Sequence, residues 1–274
     1  MLVALTAHNI SDFFCFRAFM TEHYFKNALS ITSTQLANLS LASNSILLFN
    51  AKTLELSDFN LPDCLSPFEL NIINRRKSPQ AKQEYLATRL LLKHLIKVAQ
   101  PQHAHVALNK MSTEFDEASS KLQVHVSGDV INTCISHSHG LVGAALNFDK
   151  SEFGFDIEKV SLKRPFEKLA KHFYHNDEIT LITKPTNTQA QADTFFRIWT
   201  LKESLAKATS RPIAKLLSPN VFDELNSAKL SACSNRVTVA DSSDSNVCFD
   251  VSVVHKKSTD WRCFLLNDFI NQFC

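Results

Sequence analysis

Glycine is scarce in this chain of 274 residues. Only four glycines are present, at positions 128, 140, 143 and 154, whereas ordinary usage is about 7%. The sequence therefore contains neither a GxGxxG dinucleotide fingerprint nor a GxxxxGK phosphate loop. If the protein handles nucleotide phosphates, its side chains must hold them. Because all four glycines lie within residues 128–154, we expect tight turns or close approaches of the backbone in this window.

Three other features are also missing. The 29 basic and 27 acidic side chains nearly balance, so no field of one sign attracts the chain to nucleic acid or to a membrane. The first residues lack the basic region of a signal peptide, and no later stretch is apolar for long enough to span a membrane. The seven cysteines form no CxxC pair. We predict reduced thiols, no zinc site built on them, and a cytoplasmic protein.

The hydrophobic content of 45% is enough for a substantial core. Ser78 and Pro79 predict the start of a long helix, as N-cap and first helical residue. Residues 103–130 are irregular and weakly strand-like. The other predicted elements are a strand at 45–50, two strands within 131–160 joined by a turn at Asp149–Glu152, a helical region at 163–183, a polar loop at 184–193, a helix from residue 195, and strands at 247–255 and 261–266.

This order of elements predicts an α+β fold, because strands and helices do not alternate as they do in βαβ proteins. We predict an N-terminal extension at residues 1–44 and two halves at 45–150 and 151–274. Each half offers helix and strands.

The segment FFRIWTLKESLAKATS, residues 195–210, has two helical stripes. Ile198, Leu201, Leu205 and Ala208 form an ordinary core stripe. The second stripe contains Phe196, Trp199, Glu203 and Lys207. A solvated face with one Glu–Lys pair would explain the charges, but a solvated face rarely carries tryptophan. We therefore expect the second stripe to meet another part of the protein or a ligand.

The segment GFDIEKV places two carboxylates on one face of a strand, those of Asp156 and Glu158. Two adjacent carboxylates repel each other, so either one is protonated or a cation lies between them. Oxygen ligands of this kind suit Mg²⁺. The alternative is the exposed edge of a strand.

The segment CISHSHG supplies hydroxyl and imidazole groups, those of Ser136, His137, Ser138 and His139. The two histidines, two residues apart, could bind a metal. A hydroxyl beside an imidazole could equally hold a phosphate. A Ser–His nucleophile is a third interpretation, although no GxSxG elbow is present.

Taken together and in this order, the SHS turn, GFDIE and WTLKESLAK resemble the motifs of the Sfp-type 4′-phosphopantetheinyl transferases. The close motifs cover residues 135–208, and a weaker resemblance extends back over residues 66–92. The chain departs from the family in lacking a Gly-Lys-Pro triplet before the SHS turn, which leaves adenine recognition open.

The resemblance implies a role for each matching residue. Asp156, Glu158 and Glu203 would bind Mg²⁺, for which Mn²⁺ can substitute. Glu203 would also receive the proton of the carrier serine, mainly through the metal or a metal-bound water. Lys207 would hold the diphosphate of coenzyme A, with Ser136 and His137 as its partners. Lys202, Arg75 and Arg89 would be further contacts of the cofactor, and Trp199 would pack beside the site.

The same resemblance implies the activity and the architecture. The enzyme would move the phosphopantetheine arm of coenzyme A to a serine of an apo acyl, polyketide or peptidyl carrier protein. It would be a monomer of two similar halves with pseudo-twofold symmetry and a site in the cleft between them. One alternative is a catalytically diverged module that binds coenzyme A or a carrier protein. Another is a Mg²⁺-dependent phosphohydrolase.

Overall fold

The computed structural model describes residues 28–39, 44–147, 151–240, 246–256 and 261–268. Within these ranges the chain forms eight α-helices and ten strands. The helices are α1 Ser33–Ala37, α2 Leu61–Cys64, α3 Pro67–Arg75, α4 Pro79–Ala99, α5 Phe166–Phe173, α6 Asn176–Thr183, α7 Thr188–Thr209 and α8 Val221–Ser227. The strands are β1 Leu29–Ile31, β2 Asn44–Asn50, β3 Ser112–Asp116, β4 Lys121–Val126, β5 Asp129–Ser138, β6 Leu141–Leu146, β7 Phe153–Lys159, β8 Ser231–Ala240, β9 Asn246–His255 and β10 Trp261–Leu266.

These strands form two sheets. The larger has the order β1-β10-β2-β6-β5-β4-β3, and the smaller has the order β7-β9-β8. The predicted α+β class is confirmed. Strand β10 pairs in parallel with both β1 and β2, so the larger sheet draws on all three predicted segments of the chain.

The long helix of each half forms where the sequence predicts it, with one correction. Helix α4 begins at Pro79, and the Ser78 hydroxyl accepts a hydrogen bond from the Ala81 amide as its N-cap. Helix α7 begins at Thr188 after the N-cap Asn187. The predicted polar loop at 184–193 is therefore wrong for its second part, because the Asn187 cap starts the helix several residues early.

The region around the predicted turn at 149–152 also differs from the prediction. It contains three strands, β5, β6 and β7, and the chain turns between β5 and β6 at Gly140, where φ is 92°. Strands β6 and β7 lie in different sheets. Of the predicted turn itself, residues 149 and 150 fall outside the described residues.

Three clusters of buried side chains form the core. One packs α4 against the larger sheet, and one packs α7 among the other helices of the C-terminal part. The third joins the two sheets, with Ile46 and Leu48 of β2 in the same cluster as Phe155 and Ile157 of β7. The shared cluster fixes the position of β7 relative to the larger sheet.

Cysteine use is mixed. Cys134, Cys233, Cys248 and Cys263 are free thiols. Cys64 is disulfide-bonded, so the prediction that all seven cysteines are reduced is wrong for this residue. None of the helices in the described ranges is long and apolar enough to cross a membrane.

Gly154 confirms the expected close approach of the backbone in the glycine window. A Cβ atom at this position would lie 2.0 Å from the carbonyl oxygen of Ser204 and 2.4 Å from the amide nitrogen of Ala208. Both are backbone atoms of α7, which cannot move aside as a flexible side chain can. The absence of a side chain at Gly154 therefore lets β7 lie directly against the helix.

We expect Gly154→Ala to lower the free energy of unfolding by about 1–3 kcal/mol or more, because the helix must move away from β7. Gly128→Ala is the matched control: Gly128 has φ 88° but open space around its Cβ position, so it should lose only the backbone term of about 1–2 kcal/mol. Urea denaturation of both variants tests this. A loss at Gly154 no larger than that at Gly128 would contradict the close packing.

Candidate active site

Strands β5 and β7 meet through side chains that bond across the gap between the two sheets. The Ser136 hydroxyl donates to Asp156 Oδ1 at 2.8 Å and accepts from the Ile157 amide at 3.2 Å. Two residues further along each strand, the Ser138 hydroxyl donates to Glu158 Oε2 at 2.8 Å and accepts from the Lys159 amide at 3.1 Å. Both carboxylates are thereby oriented by the two serines of SHS, which lie at the end of strand β5 and not in the predicted turn.

This arrangement differs in part from the role expected of the SHS turn. Ser136 lies at the site, as predicted, but its hydroxyl contacts a carboxylate of the protein. Ser138 has an equivalent position that sequence reasoning did not assign. The sequence did carry a signal for this role of Ser138. The two serines of SHS are two residues apart, as are the two carboxylates of DIE, and side chains two apart on a strand share a face.

Lys207 comes from α7 and completes the contacts of Asp156. Its ammonium lies 2.8 Å from Asp156 Oδ1 and 3.0 Å from the carbonyl oxygen of Phe155. Burial, the largest single influence, would lower the pKa of Lys207, but the charge and hydrogen bond of Asp156 act with the smaller effects of Cys134 and Glu203, and together they raise the pKa. The lysine is therefore a cation at neutral pH, and 32% of its side chain remains exposed to meet a ligand.

Glu203 lies one helical turn before Lys207 and has fewer bonding partners than the other two carboxylates of the site. Within the described ranges no hydrogen bond or ion pair engages it. Burial, followed by the negative charge of Asp156, raises the pKa of Glu203, with Glu158 adding to the effect and Lys207 opposing it. These influences show that the three predicted carboxylates occupy one region, although they come from a strand and a helix.

Glu158 has a second partner, which sequence reasoning missed. Arg164 Nη1 lies 3.5 Å from Glu158 Oε1. The same guanidinium lies over the ring of Trp199, 5.1 Å from its centroid. Trp199 is thus beside the site, in contact with an arginine. Phe196, which the second stripe also includes, is fully buried in the core, so at this position the stripe meets another part of the protein.

His137 is exposed at the edge of this region. Its Nδ1 atom lies 3.5 Å from Glu84 Oε2 of α4, and 58% of its side chain is accessible. Strand alternation explains the difference from its neighbours, because Ser136 and Ser138 point toward β7 and the residue between them points away.

Lys202 does not join this group. Its side chain is fully buried, and the ammonium contacts Glu178 Oε1 at 2.9 Å and the carbonyl oxygens of Leu216 at 3.0 Å and Pro219 at 2.6 Å. All three hydrogens of the ammonium have protein partners, so nothing remains for a cofactor. The arrangement assigns Lys202 to the structure of the C-terminal half.

We expect Lys202→Met to lower the free energy of unfolding by about 3–5 kcal/mol, because it leaves the buried Glu178 without its counter-ion. The double variant Lys202→Met with Glu178→Gln is the control and should recover much of the loss. Denaturant unfolding measures both. If the single variant loses less than about 1 kcal/mol, the ion pair does not stabilise this half.

The two arginines predicted to contact a cofactor form no ion pair with these carboxylates in the described part of the chain. Arg89 is buried in α4, with its guanidinium over the Tyr85 ring at 4.3 Å and 3.8 Å from Glu69. Arg75 is exposed at the C-terminal end of α3. The structure therefore brings together Ser136, Asp156, Glu158, Glu203 and Lys207, and it engages the Lys202 ammonium in other contacts. No hydrogen bond or ion pair in the described part of the chain joins Arg75 or Arg89 to this group.

The donor chemistry of the site fits a hard divalent cation. Three carboxylates converge there, and Mg²⁺ prefers oxygen ligands. As the side chains stand, no group of three or more His, Cys, Asp or Glu residues in the described part of the chain is arranged around a common metal position. Asp156 and Glu158 are instead paired with Lys207 and Arg164, so a cation would compete with two side-chain cations for them.

Comparison with known proteins agrees with this geometry. Residues 152–265 match the family model of the 4′-phosphopantetheinyl transferase superfamily. That segment contains β7 and α7, which carry every carboxylate of the site.

Individual relatives extend the match beyond this segment. The 4′-phosphopantetheinyl transferase HetI of Nostoc sp. is 30% identical over 187 residues, covering 65% of this chain and 74% of the relative. A putative 4′-phosphopantetheinyl transferase of Synechocystis sp. is 28% identical, covering 58% and 63%. The 4′-phosphopantetheinyl transferase gsp of Aneurinibacillus migulanus is 30% identical, covering 48% and 49%. With these motifs, this site and these relatives, the chain belongs to the 4′-phosphopantetheinyl transferase superfamily.

Proposed function

We propose that this protein transfers the 4′-phosphopantetheine arm of coenzyme A to a serine of an apo carrier protein, in a Mg²⁺-dependent reaction. The observation that carries the proposal is the convergence of Asp156, Glu203 and Lys207, from two distant parts of the chain, on one partly open region. A carboxylate pair with an adjacent lysine suits the binding of a diphosphate and a divalent cation.

The reaction itself needs positioning and charge stabilisation more than covalent catalysis. The carrier serine oxygen forms a bond to the β-phosphorus of coenzyme A, the bond from that phosphorus to the bridging oxygen breaks, and adenosine 3′,5′-bisphosphate leaves. No enzyme-bound intermediate is required.

Lys207 is the residue best placed to stabilise the diphosphate. Its ammonium is held by Asp156 and the Phe155 carbonyl, so its position is fixed before a ligand arrives. A fixed positive charge needs no reorganisation when negative charge develops on the leaving phosphate. His137, exposed beside Glu84, would donate a further hydrogen bond to a phosphate at the rim.

Glu203 would be available both to the cation and to the serine proton, because no hydrogen bond or ion pair engages it in the described part of the chain. Asp156 and Glu158 are each engaged by a serine and a cationic side chain. Together with Glu203 they would hold Mg²⁺, with Mn²⁺ as a substitute, and the bound ion would offset the negative charge of the diphosphate.

The two halves share a detail that supports the proposed pseudo-twofold architecture. In the N-terminal part, Glu69 of the α3 capping box binds Lys93 of α4, 24 residues later, and the Thr113 amide 44 residues later. In the C-terminal part, Glu178 of the α6 capping box binds Lys202 of α7 at the same separation.

The correspondence extends to the next backbone contact and to the sheets. The Val221 amide binds Glu178 from 43 residues away, nearly the separation of Thr113 from Glu69. The strand order β2-β6-β5 also corresponds to β7-β9-β8. We propose that the halves are related by a pseudo-twofold axis and that one chain, as a monomer, supplies the whole cleft.

The decisive experiment incubates the protein with coenzyme A, Mg²⁺ and apo carriers of the acyl, polyketide and peptidyl types. Mass spectrometry should show the gain of one phosphopantetheine arm on at least one carrier, together with release of adenosine 3′,5′-bisphosphate. Binding of coenzyme A without mass gain on any carrier would favour a diverged binding module. Release of the bisphosphate without a carrier would indicate a phosphohydrolase.

A further inference from the structure

The C-terminal end of α7 is held by a lysine from the other half of the molecule. Lys121 of β4 donates from its ammonium to the carbonyl oxygen of Lys207 and, at 2.9 Å, to that of Ala208. The last carbonyls of a helix have no donor within the helix and carry partial negative charge. An ammonium satisfies both needs, so Lys121 caps the helix that carries Glu203 and Lys207.

A second contact from the same hairpin reinforces this cap. The Ser210 hydroxyl donates to the carbonyl oxygen of Ser119 at 2.9 Å, in the turn between β3 and β4. Ser210 ends α7 in the left-handed region, with φ 54°. The β3–β4 hairpin therefore bonds to the C-terminal end of α7 through two of its residues.

Lys207 connects the capped helix end to the site. The carbonyl of Lys207 is bound by Lys121 on one side, and the ammonium of Lys207 is bound by Asp156 on the other. Gly154 lets β7 touch the same turn directly. The backbone of Lys207 is thus fixed from β4, and its side chain is fixed from β7.

We propose that Lys121 is a positioning residue, which fixes the last turn of α7 and thereby the location of the Lys207 ammonium. In this position the Lys121 ammonium contacts two carbonyl oxygens in place of water. Its burial lowers the pKa of Lys121, as expected for a lysine that has lost hydration. The kinetic part of the proposal rests on the transferase function proposed above, whereas the helix-capping part does not.

The first test measures the helix end itself and needs no activity. Lys121→Met keeps the apolar stem and removes the donors, and amide hydrogen exchange of residues 204–209 should become at least about tenfold faster, since this turn then opens locally. Lys121→Arg should restore slow exchange because the guanidinium keeps several donors. Lys110→Met removes an exposed lysine of the same half and should leave exchange at wild-type rates.

The second test is kinetic. Misplacement of a catalytic group by about 1 Å can cost on the order of 10²-fold in rate, so we expect Lys121→Met to lower kcat about 10- to 100-fold. The KM for coenzyme A and for the carrier should change less than threefold, because Lys121 touches neither. Lys121→Arg should recover most of kcat, and Lys110→Met should match wild type.

A double-mutant cycle separates positioning from general stability. If Lys121 acts through Lys207, Lys121→Met should cost much less in a Lys207→Ala background than in wild type. Equal losses in both backgrounds, or unchanged exchange in residues 204–209, would overturn the proposal. If Lys121→Met does not fold, Lys121→Gln, which keeps an uncharged amide NH₂ group on a shorter side chain, supplies the same comparison. If wild type transfers nothing, the proposed function fails, and the exchange experiment still decides the role of Lys121.

Discussion

Lys207→Ala is expected to lower kcat for phosphopantetheine transfer by about 10²–10³-fold, the usual cost of removing one preorganised donor to developing negative charge. The effect should be large because the ammonium is held at 2.8 Å from Asp156 and 3.0 Å from the Phe155 carbonyl. Neither contact depends on a ligand, so the charge is in place before the reaction begins. Steady-state kinetics at saturating coenzyme A measures the change.

Two variants make this result specific. Lys207→Arg should recover little, because a planar guanidinium cannot replace a compact ammonium between Asp156 and a carbonyl. Lys215→Ala removes an exposed lysine of the same half and should keep wild-type kcat. A Lys207→Ala enzyme within about threefold of wild type would mean that the lysine only neutralises Asp156. Assays far below the unfolding midpoint are needed, since the variant also leaves Asp156 with one partner fewer.

The carboxylates and lysine of the site could be predicted from sequence because their arrangement follows local periodicity. Asp156 and Glu158 share one face of a strand because they are two residues apart, and Glu203 and Lys207 share one face of a helix because they are four residues apart. The order and spacing of the motifs then indicated the family. Local geometry places each pair on one face, whereas the resemblance to the family was needed to predict that the two pairs share one site.

The position of Lys202 could not be predicted from local periodicity. It stands beside Glu203 in the sequence, but its ammonium binds Glu178, Leu216 and Pro219, three contacts that only the folded chain creates. A signal was nevertheless present: a glutamate three residues after a helix N-cap, followed 24 residues later by a lysine in a long helix, occurs in both halves. Finding this repeat would have assigned Lys202 to the core.

Tertiary contacts explain the other differences in the same way. Arg164 reaches Glu158 from a bend just before α5, although it lies within the region 163–183 that was predicted to be helical. Lys121 reaches α7 from a different half of the molecule. Strand β10 enters the larger sheet between β1 and β2, a parallel pairing set by the sheet and not by its own pattern. Each of these depends on partners distant in sequence, which local patterns cannot identify.

Glu203 is proposed both to bind the metal and to remove the serine proton, and substitutions at this position should separate the two functions. As a metal ligand it must be ionised, and a bound divalent cation would favour the charged form. A carboxylate that binds a cation strongly is a weak base, so ligation competes with direct removal of the serine proton. Glu203→Ala removes both functions and should lower kcat by about 10²–10⁴-fold. Its partly exposed position and lack of partners in the described chain predict little change in stability.

Glu203→Gln distinguishes the two functions because it keeps one oxygen ligand but cannot accept a proton at neutral pH. We expect ligation to dominate, so this variant should keep part of its activity, and that activity should rise with added Mg²⁺ or Mn²⁺. Titrating each metal against kcat for wild type, Glu203→Gln and Glu203→Ala gives the comparison, and the alanine variant should respond least. A glutamine variant as slow as the alanine variant at every metal concentration would show that Glu203 accepts the proton directly. Wild-type activity of Glu203→Gln at low metal would remove the residue from both roles, and the site would then rest on Asp156, Glu158 and Lys207.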